Sequence, residues 1–131
     1  MAFQEKKYFD LYTTGIGYLS RVREITNNEG KPFLGITIAA LRGSEDDVQY
    51  THFDCVVSGQ QAKDIVRKLQ PAVAEDRKVL VSFMLNDLIG QPFVFQRGDK
   101  AGEPGVNLKA RLLRISWAKV DGEPVTDPQP A

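Results

Sequence analysis

Apolar and polar residues alternate along most of this chain, which is the pattern of half-buried β-strands. The clearest case is the segment from Pro32 to Leu41, where Leu34, Ile36, Ile38 and Ala40 fall on one face. The predicted strands are Phe9–Ile25, Pro32–Leu41, Val48–Val57, Val79–Leu85 and Val106–Val120, with Phe93–Arg97 as a further short strand or hairpin arm. The chain is therefore predicted to be mainly β.

Turn-forming residues separate the predicted strands and bend the first of them. Gly15 and Gly17 lie close together inside a strand pattern, which predicts a bulge or bend there. The segment 42–47 is predicted to be a polar loop, and Asn86-Asp87 to turn the chain. The glycine-rich segment 97–105 is predicted to be a flexible loop.

One stretch follows a helical period instead. Ala62, Ile65, Val66 and Leu69 recur at helical spacing, Ser58 and Gln61 form a capping-box pattern, and Pro71 predicts an end near Gln70. A helix between the third and fourth of five strands is the order of the OB-fold, a Greek-key barrel. The predicted architecture is β1-β2-β3-α-β4-β5, all-β with one helix, with a long β4–β5 hairpin.

Length and composition indicate one ordinary globular domain. The chain has 131 residues, 42% of them hydrophobic, and its 17 basic and 17 acidic side chains cancel. We predict a single domain over residues 8–120, with flexible termini at 1–7 and 121–131. Zero net charge argues against coating of nucleic acid by bulk charge, but leaves room for a local basic groove.

The sequence also predicts where the protein works. Cys55 is the only cysteine, so an internal disulfide is impossible and a reducing compartment is expected. The N-terminus lacks a secretory apolar region, and no run approaches the length of a membrane-spanning helix. A soluble, cytoplasmic chain without a membrane partner is expected.

Catalysis has little support in the sequence. With one histidine and one cysteine, the chain cannot complete a zinc site from these residue types, and no phosphate-binding loop or nucleophile elbow occurs. His52 and Asp54 share a strand face, where a surface contact is expected, and Cys55 is expected to pack in the core. We predict no enzymatic activity, no cofactor and no metal.

Cationic and flat side chains cluster where an OB-fold usually binds its ligand, on strands 2 and 3 and on the loops joining strands 1–2 and 4–5. Single-stranded nucleic acid needs cations for its phosphates and flat side chains for its bases. The candidate binding residues are Arg21, Arg23, Lys31, Phe33, Tyr50, His52, Phe93, Phe95, Arg97, Lys100, Lys109 and Arg111.

Several candidates have a second interpretation. Phe93 and Phe95 could stack on bases, cover the barrel end or fill an oligomer interface. Arg21 and Arg23 could be solvated charges, or could pair with the carboxylates of Glu24 or of the loop at residues 45–47. The segment Val79–Leu85 is apolar on both faces, so we expect the barrel interior to cover one face and either the helix or a partner chain to cover the other. A homo-oligomer is expected.

Three segments resemble parts of bacterial single-stranded-DNA-binding proteins. Gly30–Ala40 is similar to their second strand, Thr51–Gly59 to their third strand, and Ala62–Leu69 to their helix. The resemblance implies an OB-fold that binds single-stranded DNA. Two features depart from that family: His52 stands where its members carry a stacking tryptophan, and residues 121–131 lack its acidic tail with an apolar tip.

A second resemblance covers nearly the whole chain. Tyr8–Leu19, Val106–Leu113 and Ser116-Trp117 resemble a bacterial family carried on integrative and conjugative elements, named as a domain of unknown function or as an element-encoded replication protein. It implies a mobile-element DNA context. The leading hypothesis is non-enzymatic binding of single-stranded DNA, or of RNA. The alternative is a protein-interaction or assembly module that accompanies replication or conjugation proteins.

Overall fold

Five strands close into a barrel in the computed structural model, which describes residues 9–26 and 28–125. The elements are β1 Tyr12–Thr26, β2 Pro32–Ser44, β3 Asp47–Val57, α1 Gln60–Ala74, β4 Val79–Val94, β5 Pro104–Val120 and β6 Glu123–Pro124. The hydrogen-bonded order is β3-β2-β1-β4-β5-β6, and an additional parallel pairing of β3 with β5 closes the ring. This is the topology of the OB-fold, so the predicted fold class is confirmed.

The barrel interior is filled by the apolar half of each alternating strand. Ile36 and Ile38 of β2 are fully buried, as are Leu112 and Ile115 of β5. Full burial of one such side chain contributes about 1.5–3 kcal/mol to folding. All four β2 residues that the pattern places on one face are buried, and Cys55 of β3 is buried as predicted, together with Phe53 and Val57.

The helix α1 buries one face against the barrel, but both of its ends differ from the prediction. It begins after Gly59 without a side-chain cap, so the predicted capping box is wrong. The Gln61 amide instead reaches β5, donating to the carbonyl oxygen of Ile115 at 2.8 Å and accepting from the Ile115 amide at 3.3 Å. The helix also continues through Pro71 to Ala74. Only the last turn follows the proline, and the buried Ala72 anchors that turn to the core.

The first strand bends, though not at its glycines. Its register with β2 shifts between Ser20 and Arg23, where Arg21 takes a positive φ of 51°. Gly17 serves a different purpose, because a Cβ there would lie 2.6 Å from the Ala39 carbonyl oxygen. This glycine therefore allows the backbones of β1 and β2 to approach each other closely.

Two predicted breaks between strands are wrong. The segment 42–47 is mostly strand, because β2 and β3 pair as far as Ser44 and Asp47 and leave a two-residue turn. The Asn86-Asp87 turn is a bulge inside β4, with Asp87 at a φ of 59° and a register shift before Ile89. The strand continues to Val94, so β4 and β5 form a long two-stranded extension, which we call the arm: residues 89–94, the loop 95–103 and residues 104–109.

The chain continues in regular structure beyond Val120, where the sequence predicts a flexible tail. Asp121 and Gly122 turn the chain with positive φ, and β6 then pairs with β5. Arg77 donates to the Asp121 carboxylate at 2.8 Å, and the Lys78 amide donates to the same group at 3.1 Å. The remaining terminal residues that the sequence assigns to flexible segments lie outside the described residues, and the predicted domain limits of 8–120 stay a prediction.

Removing the Asp121 charge is expected to lower the thermal midpoint slightly at neutral pH. The hydrogen bond from Arg77, and then that from the Lys78 amide, hold the pKa of the Asp121 carboxyl below its usual value. A depressed folded-state pKa adds stability that is present above the unfolded-state pKa and is lost as pH falls through the folded-state pKa. The midpoints of wild type and Asp121→Asn should therefore differ at pH 7 and converge in acid, as measured by thermal melts across pH. An equal gap at every pH would show that the carboxylate charge is not the cause.

Candidate nucleic-acid interface

One outward surface of the barrel runs from β2 across β3 to β5 and along the arm. Register pairs place Thr37 beside Asp54 and Asp54 beside Lys109, and on the arm they place Asn107 beside Gln91. Because paired residues point to the same side of a sheet, their side chains form one surface. We call it the β3 face, and it comprises Phe33, Thr37, Ala39, Tyr50, His52, Asp54, Gln91, Phe93, Asn107, Lys109 and Arg111.

The β3 face gathers many of the residues that the sequence nominates for binding. Tyr50 and His52 are exposed, and Phe33 is half-buried at the far end of β2. Lys109 is half-buried beside Asp54, and Arg111 is exposed two residues further along β5. Aromatic and cationic side chains therefore alternate across one continuous surface.

Arg23 differs from its predicted interpretations. Its Nη2 donates to Asp54 Oδ1 at 2.8 Å, and its Nη1 donates to the Arg21 carbonyl oxygen at 2.7 Å. The guanidinium crosses β2 above Gly35, where a Cβ would come within 3.4 Å of Cζ. The partner of Arg23 is therefore Asp54, instead of Glu24 or the carboxylates of residues 45–47. The sequence predicts a contact between Asp54 and His52, whereas Asp54 binds Arg23.

This ion pair changes the electrostatics of the face. The Arg23 and Asp54 side chains are 29% and 37% exposed, so the pair is only partly screened by water. It holds one predicted phosphate ligand in place and sets a negative charge directly against its positive charge. Arg21 remains exposed at the β1 bulge.

Phe93 and Phe95 form a small cluster on the arm. Their ring centroids lie 4.8 Å apart at 69°, an edge-to-face arrangement. Both rings lie over Gly105, where a Cβ would be only 2.5 Å from Phe93 Cζ, so the missing side chain makes the cluster possible. The pair packs against the arm rather than over the barrel end, and both rings stay half-exposed.

The remaining predicted cations lie at the edges of this surface. Lys100 and Arg97 are exposed in the arm loop, and Lys100 Nζ sits 5.7 Å from the Phe95 ring centroid. Lys31 directly precedes β2 in the turn between β1 and β2. Arg111 Nε lies 3.6 Å from Asp87 Oδ2, and both side chains are more than half exposed. An exposed pair of this kind is weak, so Arg111 stays available to another anion.

A cavity of about 470 Å³ opens on the β3 face between the β1 bulge and the base of the arm. Its polar lining includes Ser20, Arg21, Thr37, His52, Asp54 and Asn107. Among the described residues the Thr37 hydroxyl has no hydrogen-bond partner, and Thr37 is only 8% exposed. Sequence reasoning missed Thr37 and Asn107, because a polar residue on an alternating strand carries no separate signal.

Two observations on the described residues bear on catalysis. Within residues 9–26 and 28–125, no group of three or more His, Cys, Asp or Glu side chains is placed to hold a metal ion. Burial raises the pKa of the Cys55 thiol to about 12, so the thiolate, which is the nucleophilic form, is scarce at neutral pH.

No helix in the described part of the chain is both long and apolar enough to span a membrane.

Several solved structures are similar to this chain at low identity. A Plasmodium falciparum SSB in complex with ssDNA is 14% identical, with 94% of this chain and 100% of that chain covered and a TM-score of 0.48. The mitochondrial single-stranded DNA binding protein Rim1 from S. cerevisiae is also 14% identical, over 81% of this chain and 92% of that chain, with a TM-score of 0.40. A small single-stranded DNA binding protein from Mycoplasma pneumoniae is 10% identical, over 92% and 95%, with a TM-score of 0.39.

No curated protein matches the chain. A protein-family match covers residues 2–131, nearly the whole sequence, under the description "Protein of unknown function (DUF3577)". That description states no activity, so the resemblance to a replication family of conjugative elements stays a prediction. The match over almost the full length shows that this chain belongs to the DUF3577 family.

Proposed function

We propose that this protein binds single-stranded DNA along the β3 face, without catalysis. The observation that carries the proposal is the register that places Tyr50, His52, Lys109 and Arg111 on one outward surface. OB-folds use the face of strands 2 and 3 for such ligands. The side-chain chemistry on that face matches both parts of a nucleotide strand.

Phosphates would follow the cations along β5 and the bulge of β1. Lys109 and Arg111 lie two residues apart on one strand face, and Arg21 is exposed on the opposite side of the cavity. Contacts to phosphate give affinity without reading sequence. Binding with little sequence preference along this track is therefore expected.

Bases would stack on the flat side chains of the same face. Tyr50 is 47% exposed, and Phe93 presents a half-exposed ring on the arm. A stacked base contributes roughly 1–3 kcal/mol. With zero net charge overall and Arg23 paired to Asp54, we expect modest affinity that falls steeply as salt rises.

Fluorescence anisotropy with labelled oligo(dT) tests the proposal. We expect saturable binding by micromolar protein at low salt and a marked loss of affinity at moderate salt. Competition with unlabelled oligo(U) distinguishes DNA from RNA, since the same side chains would serve either. Absence of any binding at low salt would overturn the proposal, and preferential binding of oligo(U) would reassign it to RNA.

The setting that we propose is a cytoplasmic one, in replication or conjugation of a mobile element. It is supported by the resemblance of Tyr8–Leu19 and Val106–Leu113 to a family carried on such elements. Replication or conjugation proteins are the partners expected in that setting.

A second candidate function, assembly through a protein interface, is favoured by the outward surface of β1, β4 and β5, which adjoins the β3 face where Tyr12 and Arg111 line one cavity. There Tyr12, Ile16 and Trp117 are 48%, 41% and 39% exposed, and register pairs set Ile16 beside Ser82 and Ser82 beside Trp117. We call this surface the β4 face. Exposed aromatic and aliphatic side chains on one sheet face are typical of protein interfaces.

We propose that the β4 face joins copies of this chain into a homo-oligomer. Light scattering coupled to size exclusion should give a mass that is a multiple of the 14.6 kDa chain. Trp117→Glu replaces an exposed aromatic side chain of this face with a charge and should shift that mass toward the monomer without unfolding the protein. A monomeric wild type would contradict the interface.

A further inference from the structure

The cavity beside Thr37 is lined by a buried hydroxyl that makes no hydrogen bond to any described residue. Thr37 lies between Ser20 of β1 and Asp54 of β3 in the register, and its unpartnered hydroxyl is more than nine-tenths buried. A buried hydroxyl without a hydrogen bond costs free energy that a bound group could recover. The cavity is large enough, at about 470 Å³, for one nucleobase.

A carboxylate acceptor, Asp54, lies next to this hydroxyl. Asp54 Oδ1 accepts from Arg23, while no described residue donates to Oδ2. The hydrogen bond from Arg23 fixes the position of the carboxylate, and Oδ2 of a carboxylate acts only as an acceptor. The walls beside these two groups come from His52 of β3 and from Asn107 and Val106 of β5.

We infer that this cavity is a base-reading subsite that selects a base with an exocyclic amino group, cytosine over thymine among the pyrimidines. This inference rests on the proposed function. Cytosine N4–H donates to Asp54 Oδ2, and its N3 accepts from the Thr37 hydroxyl. Thymine has one donor, N3–H, which lies between two carbonyl oxygens that the carboxylate repels. The phosphate track then binds any strand, and this cavity favours particular positions along it.

The test compares oligo(dT) with the same oligonucleotide carrying one central dC. Wild type should bind the dC strand about tenfold more tightly, the discrimination that a two-bond base contact supplies. Replacing that dC by N4,N4-dimethyl-dC, which has no N4–H donor, should remove the gain. Because the strands differ at one position only, base stacking and backbone flexibility are the same at every other position.

Thr37→Val is the matched protein variant, because valine keeps the shape and removes only the hydroxyl. It should bind the dC strand and oligo(dT) with equal affinity, with the dC preference lost and the thermal midpoint unchanged or raised. Thr14→Val makes the same change on the β4 face, and should keep the preference.

The outcomes separate the two levels of the proposal. Equal affinity of wild type for the two strands, or a preference that survives in Thr37→Val, overturns the subsite while leaving strand binding intact. Failure of both strands to bind at low salt overturns the proposed function itself.

Discussion

Reversing both charges of the Lys109 and Arg111 pair is expected to weaken binding of oligo(dT) by roughly 70-fold at 50 mM salt. Each phosphate contact contributes about 0.7 to the salt slope of a single strand, and the factor is the loss of two such contacts relative to about 1 M salt, where they contribute little. The slope of log affinity against log salt should fall by about 1.4 on the same argument. The double variant Lys109→Glu, Arg111→Glu should be measured by anisotropy across a salt series. Its thermal midpoint should change little, since Arg111 is exposed and its contact with Asp87 is 3.6 Å long.

A matched control uses the part of β5 that belongs to the β4 face. Arg114 and Lys119 belong to β5 and are exposed, and their register partners Met84 and Leu80 belong to the β4 face. The variant Arg114→Glu, Lys119→Glu makes the same change in net charge. If both variants lose the same affinity while the control keeps the oligomeric mass of wild type, the effect is one of bulk charge and the β5 track is wrong. A large fall in midpoint for the Lys109 and Arg111 variant would instead assign those side chains a structural role.

Gly17→Ala is expected to lower the free energy of unfolding by about 1–3 kcal/mol or more, the range for atoms forced into a packed site. Its Cβ would lie 2.6 Å from the Ala39 carbonyl oxygen and 2.8 Å from the Ala40 Cα. Both are backbone atoms of β2, so the added methyl can be accommodated only if the two strands separate. Urea denaturation followed by far-ultraviolet circular dichroism measures the change.

Gly90→Ala is the control for Gly17→Ala, because a Cβ at Gly90 would meet only Val106 and Leu108 side chains at ordinary contact distance, 3.5 and 4.0 Å. Its stability should stay within about 0.5 kcal/mol of wild type. An unchanged urea midpoint for Gly17→Ala would contradict the close approach of the β1 and β2 backbones at this position.

The fold was accessible from the sequence because its signals are local. The period-2 pattern in β2 and the single helical period at Ala62–Leu69 are each read within a short window. Their order along the chain then selects the OB-fold. Asn86-Asp87 misled for the same reason, since a turn and a β-bulge favour the same residue types, and only pairing with β5 distinguishes them.

The site was only partly accessible. Strand parity alone puts Tyr50 with His52, and Lys109 with Arg111, on shared faces, whereas the parallel β3–β5 pairing that joins the two pairs is a long-range contact. The Arg23–Asp54 ion pair spans 31 positions in sequence and depends on the bulge at Arg21. The start of the helix shows the same limit, because the Gln61 side chain hydrogen-bonds to the backbone of Ile115 in β5 instead of capping its own helix.

The central claim is that single-stranded DNA lies across the β3 face. Amide chemical-shift mapping of ¹⁵N-labelled protein titrated with oligo(dT) tests this most directly. We expect the largest shifts in β3 around Tyr50 and His52 and in β5 around Lys109 and Arg111, with small changes at Ile16 of the β4 face. Shifts confined to the β4 face, or binding that leaves β3 and β5 unperturbed, would contradict it.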